Sequence, residues 1–298
     1  MTIMGGEAAL AKRVILVTGA GKGIGRAIAE YLARRGARIV VNNRDRDGAD
    51  SAGAVCSAIA AQGGEAVADR SDVRDPGAGA AMVGAAVAKW GRLDGVVLNA
   101  GVSGPASRFP DLSDAAIRDV IETNFFANLS IARAALPHLL ASESGRLLAI
   151  ASSAGLYGVR GRSAYAASKA ALIAWSLSLS LELAREQVRV NVLAPYAATQ
   201  MTADAMAKNP TLLQRMAPER VAPVAAWLLN PECQSNGRIW VTGGGVLRRA
   251  AMLEAGGVRL PEHQPEAWLG AHASELVDMA GATSFDGAEA AFADFLRL

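Results

Sequence analysis

Cysteine and histidine are scarce in this chain. Among 298 residues there are two cysteines, Cys56 and Cys233, and three histidines, His138, His263 and His272. Neither set has the spacing of a metal site, and two distant cysteines do not form a disulfide framework. Free or buried thiols are typical of a reducing compartment, so we expect a cytoplasmic protein without a bound metal.

An excess of charge and a long apolar run are also lacking. Thirty basic and 28 acidic residues give a net charge of +2, which argues against a nucleic-acid or membrane-surface role. The longest apolar stretch, residues 164–184, contains Lys169, Glu182 and several serines, and is too polar to span a bilayer. The first ten residues lack a basic segment followed by an apolar core, so we expect no secretory signal.

Short β-branched runs alternate with alanine-rich segments over most of the chain, such as the predicted helices at 23–35 and 49–62. Near-continuous apolar strands joined by helices indicate a parallel sheet covered on both faces. Right-handed crossovers then give a doubly wound α/β sheet, the Rossmann fold. The predicted strands are 14–17, 38–42, 65–68, 95–99, 146–152, 188–193 and 239–241.

The alternating pattern ends at about residue 245. Residues 1–245 are therefore predicted to form one Rossmann-type domain, to which the motifs below assign dinucleotide binding and catalysis. Residues 246–298 are polar and helical in pattern, with no strand signal. A segment of about 50 residues has little core of its own, so we expect a C-terminal helical extension packed on the domain.

A glycine-rich octet, residues 18–25, directly follows the first predicted strand and opens the first helix. Glycines at this place allow a tight turn and let the backbone approach a pyrophosphate at the positive end of the helix. The octet therefore indicates a dinucleotide site, the alternative being a plain glycine turn. The residues of the octet predicted to contact the cofactor are Gly19, Lys22, Gly23, Ile24 and Gly25.

Two further strand ends are expected at the same site. Asp72 and Val73 follow the third strand and are placed to contact the adenine, although Asp72 is equally suited to cap the next helix. At the end of the fourth strand, small residues would let the cofactor pass close to the backbone. The segment there is Asn99-Ala100-Gly101.

The end of the second strand should select between NAD and NADP. Asn43 offers no carboxylate for a ribose 2′-hydroxyl, whereas Arg44 follows it and Lys22 lies in the glycine loop. Two cations suit a 2′-phosphate, which Arg binds bidentately, so the sequence predicts NADP. NAD stays open, because both cations are also typical of a solvated surface and Asp45 carries a carboxylate one position later.

Tyr165 and Lys169, four residues apart, project from one face of a predicted helix. An ammonium beside a phenol favours the phenolate, which makes a proton acceptor of a group that ordinarily titrates near pH ~10. Such a base works near neutrality if its pKa falls by about 2 to 3 units. Ser152, at the end of a predicted strand, supplies a hydroxyl. Each residue alone is also typical of ordinary structure.

These motifs together resemble the short-chain dehydrogenase/reductase family over roughly residues 10–245. The resemblance implies a Ser-Tyr-Lys centre with an Asn, and the lysine in the glycine loop resembles NADP-preferring members. The matching positions are the 18–25 loop, Asn99-Ala100-Gly101, Asn124, Ser152, Tyr165, Lys169, and Asn191 with Pro195.

The resemblance assigns each catalytic residue a role. Tyr165 is the general acid/base for a hydroxyl or carbonyl, and Lys169 lowers its pKa and holds the nicotinamide ribose. Ser152 orients the substrate oxygen, where charge develops. Asn124 positions Lys169 through a water. The family also implies a homodimer or homotetramer.

Pro195 and Thr199 complete the cofactor contacts that the resemblance implies. Two positions depart from the family pattern. Leu98 replaces the first residue of the usual Asn-Asn-Ala-Gly, which we expect to be a mild change. Tyr196 replaces the glycine that commonly follows the proline, so we expect a reshaped pocket there. Residues 196–217 are either a lid over an apolar substrate or ordinary helix packing.

Segments 191–202, 218–228 and 233–237 are similar to the (3R)-hydroxyacyl-CoA dehydrogenase part of peroxisomal multifunctional enzymes. This similarity implies an acyl thioester substrate, whereas the acidic residue behind the NAD preference of those enzymes is replaced by Asn43. The hypothesis is thus an NAD(P)-dependent oxidoreductase for a secondary alcohol or ketone, and the 3-hydroxyacyl thioester is the substrate class that this similarity implies. A non-catalytic dinucleotide sensor or scaffold is the alternative.

Overall fold

A computed structural model describes residues 9–45, 48–198 and 209–297. Its centre is one sheet of eight strands. All seven predicted strands are present, most with ends shifted by one or two residues. The strands are β1 Val14–Val17, β2 Arg38–Asn42, β3 Glu65–Asp69, β4 Gly95–Leu98, β5 Arg146–Ile150, β6 Arg189–Pro195, β7 Ile239–Gly243 and β8 Val246–Ala250.

Helices connect these strands. The first seven are α1 Gly23–Arg34, α2 Ser51–Ala61, α3 Ala78–Trp90, α4 Asp114–Ile121, α5 Ala127–Ala141, α6 Ala154–Tyr157 and α7 Ser163–Glu182. One π-helical turn, Glu122–Phe126, joins α4 to α5. The other helical elements described before β8 are two short 3₁₀ helices, Phe109–Asp111 and Pro218–Arg220, and two α-helices, Pro210–Arg215 and Ala222–Leu229.

The strand order is β3-β2-β1-β4-β5-β6-β7-β8, with parallel pairing from β3 through β7. The chain leaves β1 toward β2 on one side and later returns to β4 on the other. This confirms the doubly wound α/β fold, in which ligands bind beyond the carboxyl ends of the strands at such a switch point.

Apolar side chains on the two faces of the sheet form two core clusters. Every residue of β1, β4 and β5 is buried, as expected of parallel strands covered on both sides. Ile15 and Ile28 belong to the cluster that α1 covers, and Leu16 and Ile131 belong to the one under α3 and α5. The apolar core thus lies on both faces of β1 and β4.

The prediction that no strand follows residue 245 was wrong, because β8 pairs with β7. Gly244 and Gly245, with φ of +59° and +82°, form the two-residue turn between them. Positive φ at both positions is what a tight hairpin turn demands. The Thr242 hydroxyl also donates to the carbonyl of Val246 (2.9 Å). The strand lies at the sheet edge and is largely exposed, so it has no apolar pattern to reveal it.

The chain divides into two compact units, Met1–Arg249 and Ala250–Leu298. The second unit contains three helices, at Pro265–Ala271, Ala273–Leu276 and Ala288–Phe295, and an antiparallel bridge between Glu254 and Thr283. None of its described residues is buried. Packing of this segment on the first unit stays a prediction. Across the described ranges, no helix is long and apolar enough to cross a membrane.

A buried polar cluster lies at the amino ends of β1, β4 and β5, away from the switch point. The Asp94 carboxylate, fully buried, accepts from the backbone N–H of Val14 (2.9 Å), the hydroxyl of Ser142 (2.7 Å) and the guanidinium of Arg92 (2.6 Å). Burial acts to raise the pKa of Asp94, but these bonds outweigh it and hold the pKa below its ordinary value. The charged carboxylate therefore stabilises the fold.

Asp94→Asn should lower the free energy of unfolding at pH 7 by about 3 kcal/mol, because the interior loses the charged acceptor of Val14 and Ser142 and the charge that faces the buried Arg13. Since the folded pKa is depressed, the contribution is present above the unfolded pKa of about 3.9 and is lost as pH falls through the folded pKa. Urea unfolding at neutral and acid pH measures this. Exposed Asp111→Asn is the control, with a change below about 0.5 kcal/mol. Equal losses in both variants would contradict the prediction.

Candidate active site

The ends of β1 and β4 are tied together by Thr18 and Asn99. The buried Thr18 hydroxyl oxygen accepts from the backbone N–H groups of Asn99 (2.9 Å) and Ala100 (3.0 Å). In return, the side-chain amide of Asn99 donates to the carbonyls of Thr18 (2.8 Å) and Gly19 (3.2 Å). Two predicted segments, the glycine loop and Asn99-Ala100-Gly101, therefore form one rigid unit.

Two glycines of the loop are required by geometry. Gly19 has φ of +60°, in the left-handed region that favours glycine. A Cβ at Gly25 would lie 2.5 Å from Asn99 Nδ2 and 2.6 Å from the Gly19 carbonyl oxygen. The close packing of α1 against the loop thus excludes a side chain, as in a cradle for a pyrophosphate. Gly23 begins α1, Ile24 packs against the core and Lys22 is the exposed N-cap.

Asn42, at the end of β2, holds the loop from the other side and was not predicted. It is buried; its backbone carbonyl accepts from Ala20 N–H (2.7 Å) and its Oδ1 accepts from Gly19 N–H (3.3 Å). Its Nδ2 donates to Asp69 (2.8 Å) and to the Ser71 carbonyl (3.0 Å). Asn42 therefore joins the loop to β3, a role that only the parallel alignment reveals.

Asn43 and Ser51 lie against the glycine loop at its outer end. The Asn43 Nδ2 donates to the Ser51 hydroxyl (2.6 Å), and a Cβ at Gly21 would lie 2.5 Å from that hydroxyl oxygen. A neutral amide and a hydroxyl thus stand where a carboxylate would select NAD. Ser51 opens α2 and was not predicted to belong to the site.

Arg44 and Asp72, predicted as separate contacts, form an ion pair. Arg74 also binds the Asp72 carboxylate (3.0 Å). The bonds from Arg74, and then from Arg44, hold the pKa of Asp72 far below its ordinary value against the opposing effect of burial. Asp45, the alternative carboxylate, instead faces Arg70 (3.8 Å). Val73 packs at the edge of the core.

Tyr165 and Lys169 lie on α7, and Ser152 lies just beyond β5. Burial raises the pKa of Tyr165, while a hydrogen bond with Ser152 and the charge of Arg162 act to lower it. The expected net lowering of this pKa by Lys169 is therefore not found. The reason is the burial of the phenol, which outweighs both of these effects; the Lys169 Nζ lies 6.0 Å from the centre of the tyrosine ring.

Lys169 is 4% exposed, and its Nζ donates to the carbonyl of Ile150 (2.8 Å) at the end of β5. Burial lowers the pKa of Lys169 to about 8. A buried ammonium held by a carbonyl oxygen retains N–H donors for further oxygen acceptors, such as ribose hydroxyls. The lysine is thus anchored to the sheet at the end of β5.

Asn124 lies in the π-helical turn and is fully buried. Its Oδ1 accepts from Val102 N–H (2.7 Å), and its Nδ2 donates to the Val102 carbonyl (2.8 Å) and the Ser168 hydroxyl (2.9 Å). A Cβ at Gly101 would lie 3.0 Å from Asn124 Oδ1 and 3.5 Å from Lys169 Nζ. The end of β4, the π turn and α7 therefore converge on one point.

Arg162, one turn before Tyr165, also belongs to this region and was not predicted. Its Nη1 donates to the carbonyls of Gly104 (2.8 Å) and Ser103 (3.3 Å), in the loop that follows β4. Arg162 and Tyr165 line the same small cavity. A cation that clamps this loop has no sequence motif, since its acceptors are backbone carbonyls.

The remaining predicted positions lie at or beyond the end of β6. Pro195 is its last residue, and Tyr196, which is 45% exposed, donates its N–H to the Thr242 carbonyl (2.7 Å). Thr199 and the rest of 199–208 lie outside the described residues, whereas the later part of the proposed lid contains the helix Pro210–Arg215. Leu98 is buried in the core. In the part of the chain that the structure covers, no group of three His, Cys, Asp or Glu is suited to a metal.

A doubly wound sheet with a glycine cradle at its switch point defines the class of dinucleotide-binding α/β proteins. Comparison with known proteins identifies the family. The family model for short chain dehydrogenases matches residues 13–210. The chain belongs to the short-chain dehydrogenase/reductase family and is an NAD(P)-dependent oxidoreductase that acts on a CH–OH group.

Similar proteins span several lineages. A short-chain type dehydrogenase/reductase of Mycobacterium tuberculosis is 37% identical, over 91% of this chain and 96% of its own length. The crystal structure of a short chain dehydrogenase from Mycobacterium avium matches with a TM-score of 0.79 and 32% identity, over 91% of this chain and 96% of that one. The mouse peroxisomal multifunctional enzyme type 2 is 34% identical over 78% of this chain, which spans about a third (32%) of that enzyme.

Proposed function

We propose that this protein interconverts a secondary alcohol and a ketone with NADP(H), using Tyr165 as general acid/base. The observation that carries the proposal is the geometry of α7: Tyr165 lies one turn before the buried Lys169, whose Nζ donates to the Ile150 carbonyl (2.8 Å) at the end of β5, two residues before Ser152. When bound, the nicotinamide cofactor supplies or accepts the hydride. The protein's own residues then handle the proton and hold the reactants.

In reduction, the Tyr165 hydroxyl donates its proton to the carbonyl oxygen as hydride reaches the carbonyl carbon. In oxidation, the tyrosinate takes the hydroxyl proton. Because burial raises the pKa of Tyr165, the phenol is protonated at neutral pH and suits the reductive direction. Ser152 donates to the substrate oxygen, where negative charge develops, and Lys169 binds the nicotinamide ribose.

The glycine loop would hold the pyrophosphate, with its shape set by the left-handed turn at Gly19 and the close packing at Gly25. Asn99, Ala100 and Gly101 would line the path to the nicotinamide, and Pro195 and Thr199 would lie beside it. NADP is favoured because Asn43 is neutral and Arg44 stands next to it. The Arg44 guanidinium would bind the 2′-phosphate while Asp72 holds it in place.

Arg44→Asp should weaken NADPH binding by about 10- to 100-fold and leave NADH within about threefold, since an Arg–phosphate bond contributes about 1.5 to 3 kcal/mol. Fluorescence titration of both cofactors gives the dissociation constants. Arg74→Gln is the matched control, because it removes the other guanidinium from Asp72. Equal NADPH and NADH affinities in wild type and Arg44→Asp would remove the 2′-phosphate argument.

The similarity to peroxisomal multifunctional enzymes supports a 3-hydroxyacyl thioester as the substrate class. A homodimer or homotetramer in the cytoplasm completes the proposal. The test is NADPH oxidation by purified protein with a panel of 3-oxoacyl thioesters and simple ketones, and the reverse reaction with the alcohols. Turnover of at least one pair supports the proposal. Tight NADPH binding without turnover, unaffected by Tyr165→Phe, would instead indicate a non-catalytic dinucleotide sensor.

A further inference from the structure

Asn128, in the first turn of α5, carries an unusual set of contacts. It is fully buried, and its Nδ2 donates to the carbonyl of Asn124 (2.8 Å) and, more weakly, to that of Ala100 (3.4 Å). Its Oδ1 is buried with no hydrogen-bond partner in the described parts of the chain. No motif of the sequence singles this residue out.

The two acceptors explain why the side chain is a primary amide. An NH₂ group has two hydrogens and meets two carbonyls, whereas a hydroxyl has one. Turning the amide around would aim Oδ1 at two carbonyl oxygens. The observed orientation leaves Oδ1 unpaired, which is destabilising in the interior. A contribution to folding stability alone therefore does not explain why this position is an asparagine.

Toward the cofactor side, Asn128 is connected to the glycine loop. The Ala100 carbonyl accepts from Asn128, and the Ala100 N–H donates to the Thr18 hydroxyl (3.0 Å) at the start of that loop. The N–H and the carbonyl of one residue, Ala100, thus connect the Thr18 hydroxyl to the Asn128 amide. A shift of the loop is transmitted to α5 through this contact.

Toward the catalytic side, Asn128 is connected to α7. The Asn124 carbonyl accepts from Asn128, and the Asn124 Nδ2 donates to the Ser168 hydroxyl (2.9 Å). That hydroxyl donates in turn to the carbonyl of Tyr165 (2.7 Å). Asn124 lies in the π-helical turn, a feature that is frequent at functional sites, and there it links α5 to α7.

We propose that Asn128 is a positioning residue that couples the dinucleotide loop to the helix carrying Tyr165 and Lys169. The expected effect of this coupling on turnover rests on the proposed function, whereas the coupling itself does not require turnover. Cofactor binding at the loop orders the first turn of α7 through Ala100, Asn128 and Asn124. Without the amide, the loop still binds cofactor but no longer transmits order to α7.

Hydrogen exchange with and without NADPH tests this coupling without turnover. In wild type, NADPH should slow exchange in residues 18–25 and in the first two turns of α7. In Asn128→Leu, the protection of 18–25 should persist while that of α7 is lost. Equal protection of α7 in both proteins would overturn the proposal. Asn128→Ser, which keeps one donor, replaces the leucine variant if that variant does not fold.

Turnover supplies the second measurement. Asn128→Leu should lower kcat by about 100-fold, the loss expected of a 1 Å displacement at a reacting centre, with NADPH affinity within about threefold of wild type. Asn128→Ser should recover part of that loss. Ser180→Ala is the control, because Ser180 is also buried and donates to the Leu177 carbonyl (2.6 Å) near the end of α7, away from this chain of bonds.

The two measurements distinguish failure of the Asn128 proposal from failure of the proposed function. A fall in kcat per folded molecule for Asn128→Leu but not for Ser180→Ala supports the proposal, and equal kcat values for the two variants overturn it. If wild type turns over no alcohol or ketone, the proposed function fails, and the hydrogen-exchange comparison still decides whether Asn128 couples the loop to α7.

Discussion

Tyr165→Phe should lower kcat by at least about 1000-fold in either direction, within the range that general acid–base catalysis contributes. The phenyl ring keeps the packing of a side chain that is largely buried, and only the proton-carrying hydroxyl is lost. NADPH affinity should therefore stay within about threefold, because the ring itself is retained. Steady-state kinetics of the variant, with NADPH binding followed by fluorescence, separates the two effects.

Ser152 and Ser153 provide a matched pair for this prediction. Ser152 acts to lower the pKa of Tyr165, whereas Ser153 is its half-buried neighbour at the start of α6. Ser152→Ala should lower kcat by about 100-fold, the loss typical of one donor to a developing oxyanion, and Ser153→Ala should change it little. Activity of Tyr165→Phe within tenfold of wild type would contradict the assigned role of the hydroxyl.

Lys169→Met should lower kcat/KM by about 100-fold or more and yet raise the stability of the protein. Burial lowers the pKa of Lys169 to about 8, so the folded state disfavours its charged form. The shift from the ordinary value near 10.4 corresponds to about 3 kcal/mol, of which the lost bond to Ile150 offsets about 1 kcal/mol. The free energy of unfolding should therefore rise by about 2 kcal/mol at pH 7.

The stability difference between Lys169→Met and wild type should depend on pH with a definite sign. Because the folded pKa is depressed, the destabilisation of wild type is complete below about pH 8 and vanishes above the unfolded pKa. Urea unfolding at pH 7 should thus favour Lys169→Met, and the advantage should disappear near pH ~10. Lys89→Met is the control: its ammonium makes the same kind of bond, to the Ala66 carbonyl (2.9 Å), but is exposed. A Lys169→Met protein less stable than wild type at pH 7 would contradict the account.

Most of the fold could be predicted from the sequence. The central strands are short runs of buried residues that are almost all apolar, which is the pattern of a parallel sheet covered on both faces. Strand β8 escaped prediction because an edge strand that is largely exposed needs no apolar pattern. Its turn, Gly244-Gly245, was the available signal.

The site was predictable where chemistry fixes the residue type. Glycines at a close approach and a Tyr–Lys pair on one helix face are required locally, so their positions are visible in the sequence. Asn42 and Arg162 were missed because their partners are backbone carbonyls or amides of distant segments. The direction of the Tyr165 pKa was also wrong, since burial depends on the whole fold.

The ion pair of Arg44 with Asp72 shows the same limit. Spacing placed each residue at the cofactor end of a strand, and the parallel register of β2 and β3 then brought the two together. Whether a cation meets a phosphate or a carboxylate is decided by such neighbours. Cofactor preference therefore has to be measured with both side chains in view.

Transfer of deuterium tests the central claim most directly. A secondary alcohol from the substrate panel, deuterated at the carbon that bears the hydroxyl, is incubated with the enzyme and NADP⁺, and the reduced cofactor is examined by mass spectrometry. The account predicts one deuterium per reduced cofactor in wild type and no detectable transfer in Tyr165→Phe. Reduced cofactor without deuterium, or equal transfer by the variant, would contradict it.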